Sequence, residues 1–561
     1  MKNQKIIELS YQLAELPSSQ HRAGLAGLVL MVQNLPNQPW FEERENAIIK
    51  LSHLDEYEAT LRMNLEGLKA LLDFTYGAFN EERWTTTKDK KKKYSEDEIR
   101  EVEKKDNKGK VKLVKEYRYT VVVPQGAFLP DWDESDEDIN KRIWIKLWRD
   151  MLWNIVRGVP ATRNPFNNRC DGQVYTQDAE KLWKDLSQPD KATGQSGNYY
   201  LGAMATTAEN IPTKDIIRYQ FLLHFAPFIF QIYRPSSINK DGNREFNSYA
   251  IVIPDVANLK SFCCSFPKVL KARDHTKIGY LPREALIDLA EEGALDFFIL
   301  QDRIARRFDE QSLRKSILGA EIIHAEKSGN SIKFQSINYV EPISTMTDRY
   351  AQIKDNYWCP WFRKQRLLNL LSLQALPNTP DDESTEVPLW TGFDALLSRI
   401  PRKWLEDPYF SHDARQLFNI EILKNQGKNQ MNNQSTKIRQ YAEIVYQVCQ
   451  KYVLSKLDSK YDLTWDKCQG NPQKQKEYNE KKTKIANEAF LAVRSRSESQ
   501  AFIEYFVSTL YPFVKKDEFS QFAEDLFNKT DEIRVLTLLA LSSQFSSSKK
   551  DESKDANNQA A

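Results

Sequence analysis

From residue 437 to 542 every apolar series in this 561-residue chain has helical spacing, and that pattern constrains the fold more than any other feature. Ile438, Tyr441, Ile444, Val445 and Val448 recur at intervals of three and four, as do Ala486, Phe490 and Val493. Phe502, Tyr505, Phe506 and Leu510 follow, and Ile533, Leu536 and Leu539 close the series. No alternating run interrupts them. A helical bundle over 437–542 is the natural way to bury such stripes. Residues 422–436, rich in Asn, Gln and Lys, offer too little apolar surface to fold alone and read as a linker. Residues 543–561 read as a disordered polar tail.

Residues 1–421 have a different grammar. Ile7, Leu9, Tyr11 and Leu13 alternate with polar residues, the period of a half-buried strand. Pro17 stops that strand, and Ser18 or Ser19 can cap a helix through Ala23, Leu25, Leu28, Val29 and Val32. Gly24 and Gly27 inside that helix cost roughly 1 kcal/mol each relative to Ala, which close approach of another backbone would justify. Ala47 to Leu51 reads as a strand, with a helix expected across Glu58 to Phe74. Lys110 to Val123 reads as a strand or hairpin arm, and a helix carries Trp144, Trp148 and Trp153. Phe228 to Tyr233 and Phe246 to Ile253 flank Asn239-Lys240-Asp241-Gly242, whose Asp-Gly pair suits a hairpin turn. The expected class is therefore α+β and multidomain: a mixed α/β body at 1–421, then the all-α bundle. A chain this long exceeds one core and predicts roughly two to four domains.

Composition narrows the function by exclusion. Lys and Arg number 80 against 78 Asp and Glu, so only the local distribution of charge is informative. Six cysteines without a CxxC pair suit reduced thiols better than a disulfide framework. The opening MKNQKIIELSYQL lacks the apolar run of a signal peptide, and GLAGLVLMV and FLLHFAPFIF are too short to span a bilayer. A cytoplasmic, non-membrane protein is expected. The six histidines form no HExxH or HxH pair, no phosphate-binding GxxxxGK[ST] occurs, and no serine or cysteine nucleophile has a local signature. His412-Asp413 is expected to cap or sit at the surface, and the acidic run Asp131 to Asp138 to be a solvated loop. No catalytic residue, metal or cofactor is assigned; a metal-dependent nuclease using His412 and a purely structural scaffold stand as alternatives.

Features suited to nucleic acid are more numerous. Lys90, Lys91, Lys92 and Lys93, after Lys88, could contact phosphates, or could be a solvated run balanced by the Glu and Asp that follow. In RGVPATRNPFNNR, Arg157, Arg163 and Arg169 interleave with Asn164, Asn167 and Asn168, side chains suited to forked contacts with base edges. GQSGNYY adds Gln195, Asn198, Tyr199 and Tyr200 as polar and stacking groups. In the helical region Lys481, Lys482, Lys484, Arg494 and Arg496 flank the apolar stripe and could follow a strand's backbone, or form a solvated helix face.

The phrases SYQLAELPSSQHRAGLAGLVLMV, RGVPATRNPF, SGNYYLGA, FLLHFAPFIFQIY and YAIVIPDVANL resemble the large subunit of a type I CRISPR Cascade. They are most similar to the myxobacterial and cyanobacterial branch of the Cas-eight family, related to type I-B systems. The likeness covers most of residues 1–260 by pattern and the remainder by architecture. It implies a non-catalytic subunit that reads a protospacer-adjacent motif in duplex DNA, helps open it, and supports the R-loop while guide RNA pairing reads the target. The implied partners are backbone and foot subunits with crRNA, separate small subunits, and a downstream nuclease-helicase, or transposition proteins in a transposon-associated system. The C-terminal bundle would resemble a small subunit, and Met431 would be a candidate internal start for a second product.

Overall fold

The computed structural model describes residues 5–88, 92–105, 111–156, 160–194, 201, 214–239, 244–273, 285–307, 315–329, 331–342, 344–354, 358–372, 390–405, 408–419, 433–516 and 519–545. Two compact units emerge, Met1–Pro235 with Phe246–Pro342, and Ser236–Glu245 with Ile343–Ala561. The first is α+β and the second almost wholly helical, the order expected from the change in apolar periodicity.

In the first unit, β1 (Ile7–Gln12), β2 (Ile49–Leu54) and β3 (Glu58–Met63) form an antiparallel sheet in the order β1-β3-β2. Glu58–Met63 is thus a strand rather than the start of a helix: buried Ala59, Leu61 and Met63 alternate with half-buried Glu58 and Thr60 and exposed Arg62 before α2 begins at Leu65. β4 (Ala78–Thr85), β5 (Ile99–Lys105) and β6 (Val111–Pro124) make a second antiparallel sheet around central β6, the expected hairpin arm. β7 (Ala192–Gly194) pairs with β8 (Lys214–Ile216). β9 (Gln231–Pro235) and β12 (Ser248–Val256) pair antiparallel as the hairpin reading predicts, Ala250 opposite Tyr233. They join β13 (Leu286–Ile287), β14 (Ile317–Ser328) and β15 (Ser331–Val340) in a five-stranded sheet, order β13-β9-β12-β14-β15. Two short strands of the second unit, β10 (Ser237–Ile238) and β11 (Arg244–Glu245), lie between β9 and β12 in sequence.

The helices of this unit are α1 (Ser19–Asn34), α2 (Leu65–Tyr76), α3 (Leu129–Trp132), α4 (Ile143–Met151), α5 (Pro160–Asn167), α6 (Gln177–Asp185), α7 (Ile217–Leu222), α8 (Leu259–Lys271) and α9 (Glu292–Arg307). Ser18 caps α1, its side chain accepting from the His21 N–H. α1 is buried on nearly every side and lies on β12, whose run from Ala250 to Val256 is buried without interruption. Gly24 and Gly27 serve close backbone approach: a Cβ on Gly24 would stand 2.5 Å from the Leu222 carbonyl oxygen, and one on Gly27 would meet the Phe225 carbonyl. The aromatic helix α4 widens into a π-helical turn at Leu152–Val156, which carries Trp153.

The acidic run before α4 is not wholly solvated. Asp133 and Ser135 are buried; Asp133 accepts the Ile145 N–H at 2.9 Å and Ser135 Oγ the Ile143 N–H at 2.9 Å. They supply two of the orphan donors at the start of α4 with partners, a capping role from outside the helix.

The second unit contains α10 (Ser344–Lys354), α11 (Pro360–Ser372), α12 (Phe393–Arg399), α13 (Arg402–Leu405), α14 (Pro408–Phe418), α15 (Asn433–Tyr461), α16 (Trp465–Cys468), α17 (Pro472–Arg494), α18 (Ser499–Tyr505), α19 (Phe519–Asn528) and α20 (Thr530–Ser542). α20 is the spine: all but its first acidic residues are buried, and α14, α15, α17 and α18 lie against it. Tyr441, Val445, Val448, Phe490, Val493, Phe502, Phe506, Ile533, Leu536 and Leu539 are all core, as their spacing predicts.

Boundaries differ from expectation. The first unit ends at Pro342 rather than 421, because helices before 421 belong with the bundle. Ser411 Oγ donates to the Phe545 carbonyl at 2.7 Å and Arg534 pairs with Asp394 at 2.8 Å, bonds that span most of the unit's sequence. α15 begins at Asn433, so its first turn takes four residues from the expected linker. Ser543, Gln544 and Phe545, assigned to the tail, are buried at the end of α20. No helix among the described residues is long and apolar enough to cross a membrane.

Candidate nucleic-acid interface

Of the segment RGVPATRNPFNNR, Pro160–Asn167 form α5 and Asn168 and Arg169 the turn after it. Phe166 anchors the helix: it is buried, edge-on to Tyr76 at 5.1 Å and to Trp153 at 5.3 Å between ring centres. With Phe166 turned inward, Asn164 and Asn167 are exposed and Asn168 half-buried. At spacing three and four these amides share one face. Arg163 is on the same helix, its side chain outside the described residues. Gln195, Asn198 and Tyr199 lie outside the described residues, as do Arg157, Lys90, Lys91 and Met431.

Arg169 departs from the expectation of a base-reading side chain. It is buried, donating to Asp73 at 2.6 Å and to both Asp178 oxygens at 2.8 and 2.7 Å. The Pro165 and Tyr175 carbonyls accept from the same guanidinium at 3.3 and 3.2 Å. Tyr76 and Tyr175 present their rings to it at 5.8 and 5.5 Å. This is the geometry of a structural clamp joining α2, α5 and α6, in which the planar fork fits two carboxylates.

Beside the clamp a cleft of about 400 Å³ opens among α2, α5, α6, β7 and α7. Buried Leu72, Tyr76 and Phe221 form its floor, and half-buried Pro165 forms part of the wall. Lys181, Asp185 and Lys191 stand exposed at its rim. Gln220 crosses one side, its amide donating to the Gly194 carbonyl at 3.0 Å. Thus α5 and β7, which leads to the nominated residues from 195, meet at one cavity. Lys181, Lys191 and Gln220 escaped the sequence reading because each is an ordinary polar residue, brought near α5 only by folding.

The arm formed by β4, β5 and β6 concentrates charge. Residues 88–118 hold 13 Lys and Arg against eight Asp and Glu, a net +5 in a chain whose total is +2. Lys92 pairs with Glu98 at 2.9 Å and lies over the Tyr94 ring; that hydrogen bond, with the Ser95 N–H, holds the Glu98 carboxyl down at about 2. Lys93 is exposed. Arg100 and Lys104 converge on Glu116 at 2.7 and 2.9 Å and lower its pKa, while Arg100 also covers the Trp84 ring at 4.3 Å. Two cations on one carboxylate leave a surplus on this face.

The cations of α17 and of the turn after it divide by role. Arg494 donates to the Ser398 and Ile400 carbonyls at 2.6 and 3.2 Å, capping the C-terminus of α12. Arg496 bonds the Ala492 carbonyl and covers the Tyr505 ring at 4.6 Å. Both are half-buried and have partners within the protein. Lys481 lies over Tyr461 at 5.0 Å, Lys482 is half-buried where burial beside Arg415 pushes its ammonium down to about 8, and Lys484 is exposed.

Two clusters of metal-ligand residue types have structural partners. Asp413 accepts the Trp358 and Cys359 N–H groups at 2.7 and 2.6 Å, capping α11 as expected of the His412-Asp413 dipeptide, and its burial pushes the carboxyl up to about 6. His53, Asp55 and Glu58 meet on the β2–β3 turn, where Asp55 accepts the Tyr57 and Glu58 N–H groups at 2.7 and 2.8 Å.

A comparison with curated proteins finds no match. Residues 48–310 match the type I-B CRISPR Cas8b N-terminal domain, and residues 317–544 match the type I-B CRISPR Cas8b C-terminal domain. The two follow each other in order over nearly the whole chain, with a junction at 310–317 ahead of the structural division at Pro342. The chain belongs to the Cas8b family, as a large subunit of type I-B CRISPR effector complexes.

Proposed function

We propose that this subunit recognises the motif flanking a target in duplex DNA, helps open the duplex, and holds the R-loop formed by crRNA pairing. The observation that carries the proposal is the match to both Cas8b domains in order. The first unit offers a division of labour familiar from protein–DNA interfaces: phosphate contacts position and base contacts specify. The arm supplies a surplus of cations for phosphates. The Asn164, Asn167 and Asn168 face supplies amides whose paired donor and acceptor match adenine edges. In the second unit, Lys481 and Lys484 remain for strand backbone.

The subunit would work in the cytoplasm with crRNA, backbone and foot subunits, and separate small subunits. It performs no catalytic step; cutting belongs to a nuclease-helicase recruited to the opened DNA, or is replaced by transposition proteins in a transposon-associated system. Expression with the neighbouring CRISPR genes tests the assignment: the tagged chain is expected to bring down crRNA and backbone subunits. A tagged chain that purifies free of RNA, and that cuts DNA by itself with a divalent metal, would contradict it.

A further inference from the structure

The cleft beside α5 does more than separate helices. We propose that it receives a single nucleotide of the opened DNA, with the base on the aromatic floor and the phosphate at the lysine rim. The proposal deepens the DNA-opening function above and rests on it.

The chemistry of the cleft suits a nucleotide. Its volume of about 400 Å³ lies within the roughly 300–1,000 Å³ typical of small-molecule sites. Buried Leu72, Tyr76 and Phe221 give it an apolar floor, the kind of surface that takes a base out of water. Thr193 and Gln220 place polar groups along one side. At the rim, charge favours an anion. Asp178 points into the cleft, but its two oxygens are held by Arg169. Among the lining residues that pairing leaves Lys181 and Lys191 opposed by Asp185 alone; Asp190, beside Lys191, pairs with Arg218 at 2.7 Å, and Glu180, beside Lys181, lies 3.7 Å from Lys69. A neutral floor beneath a net-positive rim is the pattern of a site for one phosphate and one base.

Position adds a reason. Pro165 of α5 forms part of the wall, and Asn164 and Asn167 are exposed on the same helix. A nucleotide leaving the stack next to a duplex held by α5 would find the cleft within the same local structure. Taking a base out of the stack costs unstacking and unpairing energy, and a receiving pocket offsets part of it.

The experiment uses the assembled complex with crRNA and target DNA carrying 2-aminopurine at each of the first three positions beyond the motif. The wild-type complex is expected to show position-specific fluorescence that differs from simple strand separation, measured against the same DNA opened by heating. Lys181→Ala with Lys191→Ala should weaken that signal about tenfold in apparent affinity, while assembly and motif-dependent duplex binding persist. Ala192→Trp, which narrows the cleft from an exposed position, should remove the signal without unfolding the unit. Unchanged signal in both variants, with motif binding intact, would overturn the pocket. Loss of motif binding by the wild type itself would instead refute the DNA-opening function. Equilibrium dialysis with free nucleoside monophosphates completes the test: saturable binding that these variants abolish, with no change at the 2-aminopurine positions, would assign the cleft to a free nucleotide and overturn the strand assignment.

Discussion

At the scale of single residues, Arg169 shows how tertiary partners decide a side chain's role. Locally it belongs to an Arg- and Asn-rich segment that looks suited to bases. Its nearer carboxylate, Asp178, is nine residues away, but Asp73 is 96 residues away, so no local pattern announces the clamp. Removing one member of a buried ion network costs about 3 kcal/mol or more, because the remaining charges stay desolvated. Arg169→Ala is expected to lower the stability of the first unit by about 3 kcal/mol, read as an earlier urea transition in near-UV circular dichroism; an unchanged midpoint would contradict the clamp. Asp413 makes the complementary case. Its folded pKa, pushed up to about 6 by burial, exceeds the ordinary value of 3.8, so the native state binds more protons between those limits. Stability is therefore present at low pH and falls as pH rises from about 4 to 6, by up to about 3 kcal/mol. Urea titrations across that window should show a shallower decline for Asp413→Asn than for the wild type, and identical slopes would refute the assignment.

At the scale of elements, period was a reliable guide wherever one face was buried. Alternation at Ile7 to Leu13, the pairing of β9 with β12, and the three-and-four spacing of the bundle all correspond to observed elements, while the Asp241-Gly242 turn lies outside the described residues. Gly24 and Gly27 were legible as close-approach residues because a helix tolerates their cost only for a packing reason. The failures have equally physical origins. The helix expected across Glu58 to Phe74 overran a strand: Ala59, Leu61 and Met63 alternate, the period of a strand, and helical spacing begins only with α2 at Leu65. Asn433 to Thr436 are polar, so their sequence carries no mark of the helix they begin. The arm was legible both as strands and as charge, although only folding shows which cations share carboxylates. Changing Lys90, Lys91, Lys92 and Lys93 to serine should weaken DNA binding by the complex uniformly across sequences. It should also flatten the slope of log affinity against log salt by up to about 0.9 per lost phosphate contact. Filter binding from 50 to 300 mM salt, a range on the order of that over which such contacts act, would show an unchanged slope if the lysines only balance neighbouring acids.

At the scale of the whole molecule, the change in apolar grammar revealed two architectures but not their border. Helices α10 to α14 carry shorter and less regular stripes than the bundle, and their membership in it depends on bonds such as Ser411 to Phe545. A product starting at Met431 would lack α14 and with it the Asp413 cap and the Ser411 bond, so the bundle would have to shield that face of α20 by other means. The family was legible in phrases that no single motif explains, and the matches to both Cas8b domains place it firmly. The cleft was not legible, since its lining is drawn from residues 72 to 224 and acquires meaning only from proximity. Within the proposed function, motif reading is placed on the amides of Asn164, Asn167 and Asn168. The decisive measurement is binding of the reconstituted complex to a library of targets randomised at the flanking motif, for the wild type and for Asn164→Ala with Asn167→Ala and Asn168→Ala. The expected result is a sharp motif preference in the wild type that collapses in the triple variant while the complex remains assembled; an unaltered preference would contradict motif reading by α5.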